Sequence, residues 1–202
     1  MTQPSEHYFS ETTATPFKPR EIEVELAGDL YKVTTAASVF SPDSLDRGTQ
    51  VLLNSLEPAP AGDILDIGCG WGAISLHTAL ESPAATIWAV DINDRARKLA
   101  TMNATRLNLQ NINVSTPAEV PADITFAEIR SNPPIRIGKT ALHELLKIWL
   151  PRLAMGGSAY LVVAKHLGAE SLAKWIAETW PEFEVTRYAR SKGFHVLRVL
   201  NS

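Results

Sequence analysis

Two short stretches of this chain hold the residue types that do chemistry. Ser131 to Lys139 reads SNPPIRIGK. Asn132 offers a side-chain carbonyl, while Pro133 and Pro134 stiffen the backbone and remove two N–H donors, so the turn presents acceptors and little else. An amine nucleophile needs that arrangement. Upstream, Leu65 to Leu76 reads LDIGCGWGAISL, a glycine-rich turn where a strand hands over to a helix. Gly68, Gly70 and Gly72 let a ligand approach the backbone closely, and the start of the helix is expected to supply unpaired N–H groups.

The carboxylates around that turn choose among ligands. A nicotinamide dehydrogenase would use it to cradle a pyrophosphate, but Asp66 ends the strand just before the first glycine and would repel phosphate there. A cationic ammonium suits the position, and S-adenosylmethionine carries one where NAD does not. Asp91, in the stretch AVDIN, follows Asp66 by 25 positions, near the interval of roughly 20 at which an acidic residue reaches ribose hydroxyls. Helix capping is the competing role for both aspartates. Cys69 and Trp71 read as packing residues rather than reactants. Ala118 and Glu119, after the third core strand, are placed to border an adenine ring. Taken with Asn132, the pattern points to methyl transfer from S-adenosylmethionine to a planar amino group. Conjugation makes such a nitrogen a poor nucleophile; acceptors at Asn132 and the Pro133 carbonyl would orient it and favour its developing charge without a strong general base. A turn-forming Asn before Pro is the bland alternative, and the position at a strand's carboxyl end weighs against it.

Positioning these groups requires an open sheet. Ile22, Val24 and Leu26 alternate with Glu, turn at Gly28-Asp29 and continue through Leu30 to Val33, which predicts a hairpin. Helical spacing runs from Asp46 to Leu56. Strands are expected at Asp63–Ile67, Thr86–Asp91, Ile112–Ser115, Ile124–Ser131 and Ser158–Ala164, and helices at Gly72–Glu81, Asp94–Leu107, Thr140–Ala154 and Ala169–Trp180. Near-continuous apolar strands alternating with helices imply an α/β fold, a parallel sheet covered on both faces. Phe183–Tyr188 and Phe194–Leu200, around Lys192-Gly193, predict an antiparallel hairpin closing one edge. His143 and His166 show no ligand spacing, and Trp149, Trp175 and Trp180 fit apolar helix faces.

At 202 residues, with 45% hydrophobic and 20% charged content, the chain suits one domain over 21–202 after a polar tail over 1–20, with the hairpin and first helix in 21–61 and the sheet core in 62–202. The longest apolar runs are too short to span a bilayer, no signal-peptide core precedes them, and a single cysteine excludes an internal disulfide and indicates no metal. A cytoplasmic protein is expected. Net charge of −3 argues against non-specific coating of nucleic acid. Its distribution is uneven: Val185 to Ser202 has no acid but contains Arg187, Arg190, Lys192 and Arg198, whereas Glu21, Glu23, Glu25 and Asp29 crowd the other end. A solvated face and a nucleic-acid docking surface both remain open.

The order LDIGCGWG, AVDIN and SNPPIRIGK, with HYFS at His7 to Ser10 and SVFSPDSLDRGT at Ser38 to Thr49, resembles the small-domain, RsmC-like class I methyltransferases over almost the whole chain. The resemblance implies a seven-stranded, mostly parallel, Rossmann-like sheet and methylation of the exocyclic 2-amino group of a guanine in 16S ribosomal RNA, with ribosomal RNA or the small subunit as partner. It adds Phe40, Cys69, Ile92 and Asn132 as neighbours of the cofactor, and Asn132, Pro133, Pro134 and Ile135 as the catalytic turn. Arg136 and Lys139, with Lys192 and Phe194, are expected on the substrate side, although Lys139 equally suits the start of a helix. Ile135 departs from the commoner aromatic at that position, which would stack on a flipped base for about 1–3 kcal/mol. Either Phe40 or Phe194 supplies a ring, or the substrate is not the usual guanine. Double-domain members carry an additional N-terminal half, so a single domain acts alone or as a homodimer. A protein or small-molecule N-methyltransferase and a non-catalytic RNA-binding module are the alternatives; intact Asp66, Asp91 and Asn132 argue against the latter.

Overall fold

The computed structural model describes residues 16–134 and 138–202. Ile135 and Arg136, and the HYFS stretch, lie outside the described residues. Strands β1 (Pro19–Leu26) and β2 (Asp29–Ala36) form the expected antiparallel hairpin, with Ile22 opposite Val33. Its turn is Ala27-Gly28, with φ of 51° and 85°, one residue earlier than expected. Two consecutive left-handed residues match the twist of the flanking strands. Because β1 starts at Pro19, residues 19 and 20 belong to the hairpin and not to a tail.

Helix α1 (Arg47–Leu53) is shorter than the expected Asp46–Leu56 because Asp46 is its N-cap and Asn54 its C-cap. Then follow β3 (Gly62–Ile67), α2 (Ala73–Glu81), β4 (Ala85–Val90), α3 (Asp94–Arg106), β5 (Ile112–Ser115), β6 (Phe126–Ser131), α4 (Lys139–Trp149), β7 (Leu153–Ala164), α5 (Ala169–Thr179), β8 (Phe183–Ser191) and β9 (Phe194–Asn201). The seven core strands lie in the order β5-β4-β3-β6-β7-β9-β8, parallel except that β9 runs against both β7 and β8. The sheet is thus the mostly parallel, seven-stranded arrangement expected, with an antiparallel C-terminal hairpin at one edge. Leu142, Leu146 and Trp149 of α4 and Leu172 and Ile176 of α5 bury one face. Leu52, Leu76 and Leu99 of α1, α2 and α3, with Val33 of the hairpin, bury the other. No helix among the described residues is long and apolar enough to cross a membrane.

Helix α4 is shorter than the expected Thr140–Ala154. Instead of continuing to Ala154, α4 stops at Trp149, a single 3-10 turn covers Leu150–Arg152, and Leu153 already pairs with Phe126 as the first residue of β7. Pro151 lacks the N–H that a continuing helix needs. The buried Leu153 satisfies an apolar periodicity that helix and strand share at that point.

Strand β3 pairs with β4 on one side and β6 on the other, so chain order reverses there and the carboxyl ends of all three strands open onto one crevice. The N-terminal hairpin is sewn onto this core by Asn103 of α3, a buried side chain. Its Oδ1 accepts from the Thr34 N–H at 2.6 Å, and its Nδ2 donates to the carbonyls of Thr34 and Trp71, both at 2.9 Å. Asn103→Ala leaves three buried backbone groups unpartnered. It is expected to lower unfolding free energy by about 2–4 kcal/mol, read as an earlier midpoint in urea denaturation with an unchanged slope.

Candidate functional site

The crevice is built from two turns that touch. Gly68 and Gly70 adopt φ of 73° and 58°, which L side chains rarely tolerate, and a Cβ built on Gly68 would lie 3.9 Å from Pro134 Cδ. Ser131 Oγ donates to the Ile67 carbonyl at 2.8 Å, tying the end of β6 to the end of β3. The Asn-Pro-Pro turn therefore sits directly against the glycine turn. A cleft between them is lined by Phe40, Asp46, Thr49, Gly68, Gly70 and Asn132, among others.

The N–H groups of the glycine turn itself are not free. Gly68 and Cys69 both donate to the Val90 carbonyl, at 2.8 and 3.0 Å, and Gly70 donates to Asp91 Oδ2 at 3.0 Å. In the first turn of α2, Ser75 donates its N–H and its hydroxyl to Asp66 Oδ2, at 3.1 and 2.6 Å. Closing a tight turn against the end of β4 requires these bonds, and they leave no amide nest at Gly68–Gly70 for a phosphate.

Asp66 is 1% exposed, and its other oxygen, Oδ1, is buried with no partner. Burial pushes its carboxyl up to about 7, against the lowering pull of the two Ser75 bonds. An unsatisfied buried carboxylate oxygen asks for a cation. These residues fit a ligand that brings an ammonium group, as S-adenosylmethionine does, and do not fit a pyrophosphate.

Asp91 lies just past β4, with Oδ2 on Gly70 and Oδ1 accepting the Asn93 N–H at 2.8 Å. Burial raises its carboxyl above the ordinary range, while the Asn93 and Gly70 bonds pull it down. Each of its oxygens retains a lone pair for a ribose hydroxyl. Arg97 donates to the Asp91 and Ile92 carbonyls at 2.8 Å and so fixes this bend. Sequence reasoning passed over Arg97 because nothing local marks a side chain that reaches back one helical turn. Ala118 and Glu119 form a 3-10 turn after β5, where Glu119 accepts from the Thr116 N–H and hydroxyl at 2.7 and 2.8 Å. That carboxylate is thereby engaged in its own capping box.

On the acceptor side, Asn132 donates from Nδ2 to Asp46 Oδ2 at 2.8 Å and to Thr49 Oγ1 at 3.0 Å. Neither partner was singled out from sequence, although Asp-x-x-Thr before an apolar run is a helix-start signal. Phe194, at the start of β9, lies against α1: a Cβ on Gly48 would come within 2.9 Å of its ring. Phe40 is 58% exposed at the mouth of the cleft. Of the expected cationic residues, Lys139 opens α4 and Lys192 sits at the tip of the β8–β9 hairpin, both exposed. The Lys192-Gly193 tip is held beside the end of β7 by a 2.9 Å bond from the Lys165 N–H to the Gly193 carbonyl. Arg187 and Arg190 are exposed on β8, but Arg198 is half-buried and donates to Ser158 Oγ at 3.2 Å. His143 stacks on Trp175 at 3.5 Å, away from the crevice.

Residues 30–198 match the methyltransferase small domain family. Over 198 residues the chain is 32% identical to the Bacillus subtilis protein described as "Uncharacterized protein YbxB", covering 96% of this chain and 98% of that one. It is 36% identical over 141 residues to ribosomal RNA small subunit methyltransferase C of Erwinia tasmaniensis, covering 67% of this chain and 41% of that protein. Against the Escherichia coli O1:K1 protein of the same name it is 32% identical over 172 residues, covering 79% and 48%. The chain thus spans about half the length of these ribosomal RNA methyltransferases. Among solved structures, the Thermus thermophilus 16S rRNA N2 G1207 methyltransferase in complex with AdoMet and guanosine shares the fold with a TM-score of 0.77 at 21% identity, over 93% of this chain and 52% of that one. With two turns meeting at the carboxyl edge of such a sheet and a family match across most of its length, this chain belongs to the methyltransferase small domain family.

Proposed function

We propose that this protein is an S-adenosylmethionine-dependent N-methyltransferase acting on the exocyclic 2-amino group of a guanine in 16S ribosomal RNA. The observation that carries the proposal is the state of Asn132. Both protons of its amide nitrogen have acceptors inside the protein, so only Oδ1 is left for a substrate. A group of that polarity recognises a donor, and an amino group is one.

Bound between the glycine turn and Asn132, S-adenosylmethionine supplies a methyl group already electrophilic on a sulfonium sulfur. Asp66 would hold the ammonium end through Oδ1, and Asp91 would hold ribose hydroxyls. Phe40, Cys69 and Ile92 would border the cofactor, and Ala118 and Glu119 would flank its adenine side. Asn132 Oδ1 and the Pro133 carbonyl accept the two N–H groups of the amine, fix its plane and favour the positive charge that grows on nitrogen. Its surplus proton passes to solvent after transfer. Phe194, held against α1, supplies an apolar ring on the substrate side, while Arg136, Lys139 and Lys192 contact phosphates that position the RNA without reading its sequence. The ribosomal RNA small subunit methyltransferases among its relatives favour RNA as substrate.

Cofactor binding is expected to release a proton. Asp66 titrates near 7 in the free protein chiefly because it is buried, so at about pH 6 it is largely protonated, and an ammonium placed beside it favours the ionised form. Calorimetry at that pH in buffers of different ionisation enthalpy should show the release, fading above about pH 8 and absent in Asp66→Asn. The same shift has a stability signature. Between about pH 4 and 7 the folded free protein keeps a proton that the unfolded chain loses, so this carboxyl makes stability fall as pH rises through that window. Relative to Asp66→Asn, wild-type unfolding free energy should decline across it.

The substrate is tested with methyl-labelled S-adenosylmethionine and, in parallel, unmodified small subunits, large subunits, free ribosomal RNA and ribosomal proteins. Label in 2-methylguanosine, reduced at least about 100-fold in Asn132→Ala, is the expected outcome. Label in protein alone, or none in RNA despite cofactor binding, would overturn it.

A further inference from the structure

The acceptor turn is held in place by a segment more than eighty residues away. Asp46 precedes α1, and its Oδ2 accepts the Thr49 N–H at 3.0 Å, capping the helix. The same oxygen accepts from Asn132 Nδ2 at 2.8 Å, and Thr49 Oγ1 accepts from that nitrogen at 3.0 Å. Thr49 is buried and Asn132 half-buried, so these bonds are largely shielded from competing water.

Capping alone does not require a carboxylate, because Ser, Thr and Asn serve comparably well. What the carboxylate adds is an acceptor that offers no proton. A hydroxyl at the same place both donates and accepts, and would be satisfied equally by an Asn132 amide turned over, with Oδ1 inward and Nδ2 toward the cleft. With Asp46 present the turned-over amide would set one oxygen against another. Gly48 belongs to the same device: a Cβ there would stand 3.0 Å from Asp46 Oδ2 and 2.9 Å from Phe194 Cε1, crowding both the capping oxygen and the ring.

We propose that Asp46, supported by Thr49, is a positioning residue that locks the Asn132 amide with its carbonyl toward the substrate, making the site selective for nucleophiles that donate N–H groups. It touches no reacting atom and acts through Asn132. The proposal rests on the assignment of Asn132 as the acceptor for the amine.

Two variants separate positioning from capping. Asp46→Asn keeps an oxygen in the capping place, where the Thr49 N–H holds it and Asn132 can still donate to it. Asp46→Ser caps α1 but ends one atom shorter and carries a donor. With unmodified small subunits as substrate, D46S should lose about 10- to 100-fold in kcat, with the dissociation constant for S-adenosylmethionine within about twofold of wild type and thermal stability nearly unchanged. D46N should recover all but about threefold. Independently of any substrate, hydrogen exchange of the Asn132 side-chain amide followed by 15N NMR should be slow in wild type and D46N and fast in D46S.

Wild-type kcat in D46S, wild-type protection in D46S, or failure of D46N to recover both would each overturn the lock. If wild-type protein labels no RNA at all, the substrate assignment falls, and the exchange measurement still decides whether Asp46 holds Asn132.

Discussion

The end of β4 is the anchor on which the rest of the site depends. Buried backbone groups must find partners, and at this point Val90 and Asp91 provide them for a turn that belongs to another strand. The Val90 carbonyl takes two N–H groups, those of Gly68 and Cys69, and the Asp91 carboxylate takes those of Gly70 and Asn93. Arg97 closes the arrangement from α3 by bonding the Asp91 and Ile92 carbonyls. The N–H groups of Gly68, Cys69 and Gly70 are therefore satisfied before any ligand arrives. The turn is a shaped surface more than a set of waiting donors.

That satisfaction transfers the unmet demand to Asp66. With one oxygen bonded twice to Ser75 and the other buried without a partner, the carboxyl is held near neutrality by desolvation. A ligand that brings positive charge relieves the strain, and one that brings phosphate adds to it. Discrimination between cofactor classes thus comes from which polar atoms the fold leaves over, since the glycine spacing alone suits both.

The parts outside the sheet core have work in the site. Helix α1 is barely two turns long, yet its capping residue and Thr49 bond Asn132, and its Gly48 accommodates the ring of Phe194 from β9. The C-terminal hairpin, by tying Lys192-Gly193 to the end of β7, brings a basic tip to the same edge of the sheet. The hairpin of β1 and β2 in turn depends on Asn103, whose amide also bonds the Trp71 carbonyl immediately after the glycine turn.

Strand-helix alternation, the carboxyl-edge crevice and the two turns that line it were legible in the sequence, because each follows from local signals: apolar runs of strand length, glycines where the backbone must bend, and prolines that remove donors. Boundaries were less so. With Pro151 ahead, α4 stops at Trp149, five residues short of the Ala154 that apolar periodicity suggested, and the Ala27-Gly28 turn precedes the Gly28-Asp29 pair that its residue types suggested. What tertiary structure alone decided is which polar atoms remain unpaired. That the Gly68–Gly70 amides are consumed, that Asp66 Oδ1 is orphaned and that Asn132 is held by Asp46 and Thr49 all depend on contacts between elements up to 86 positions apart. Sequence determines which donors and acceptors exist; only packing determines how many are already satisfied, and the chemistry of this site resides in those left over.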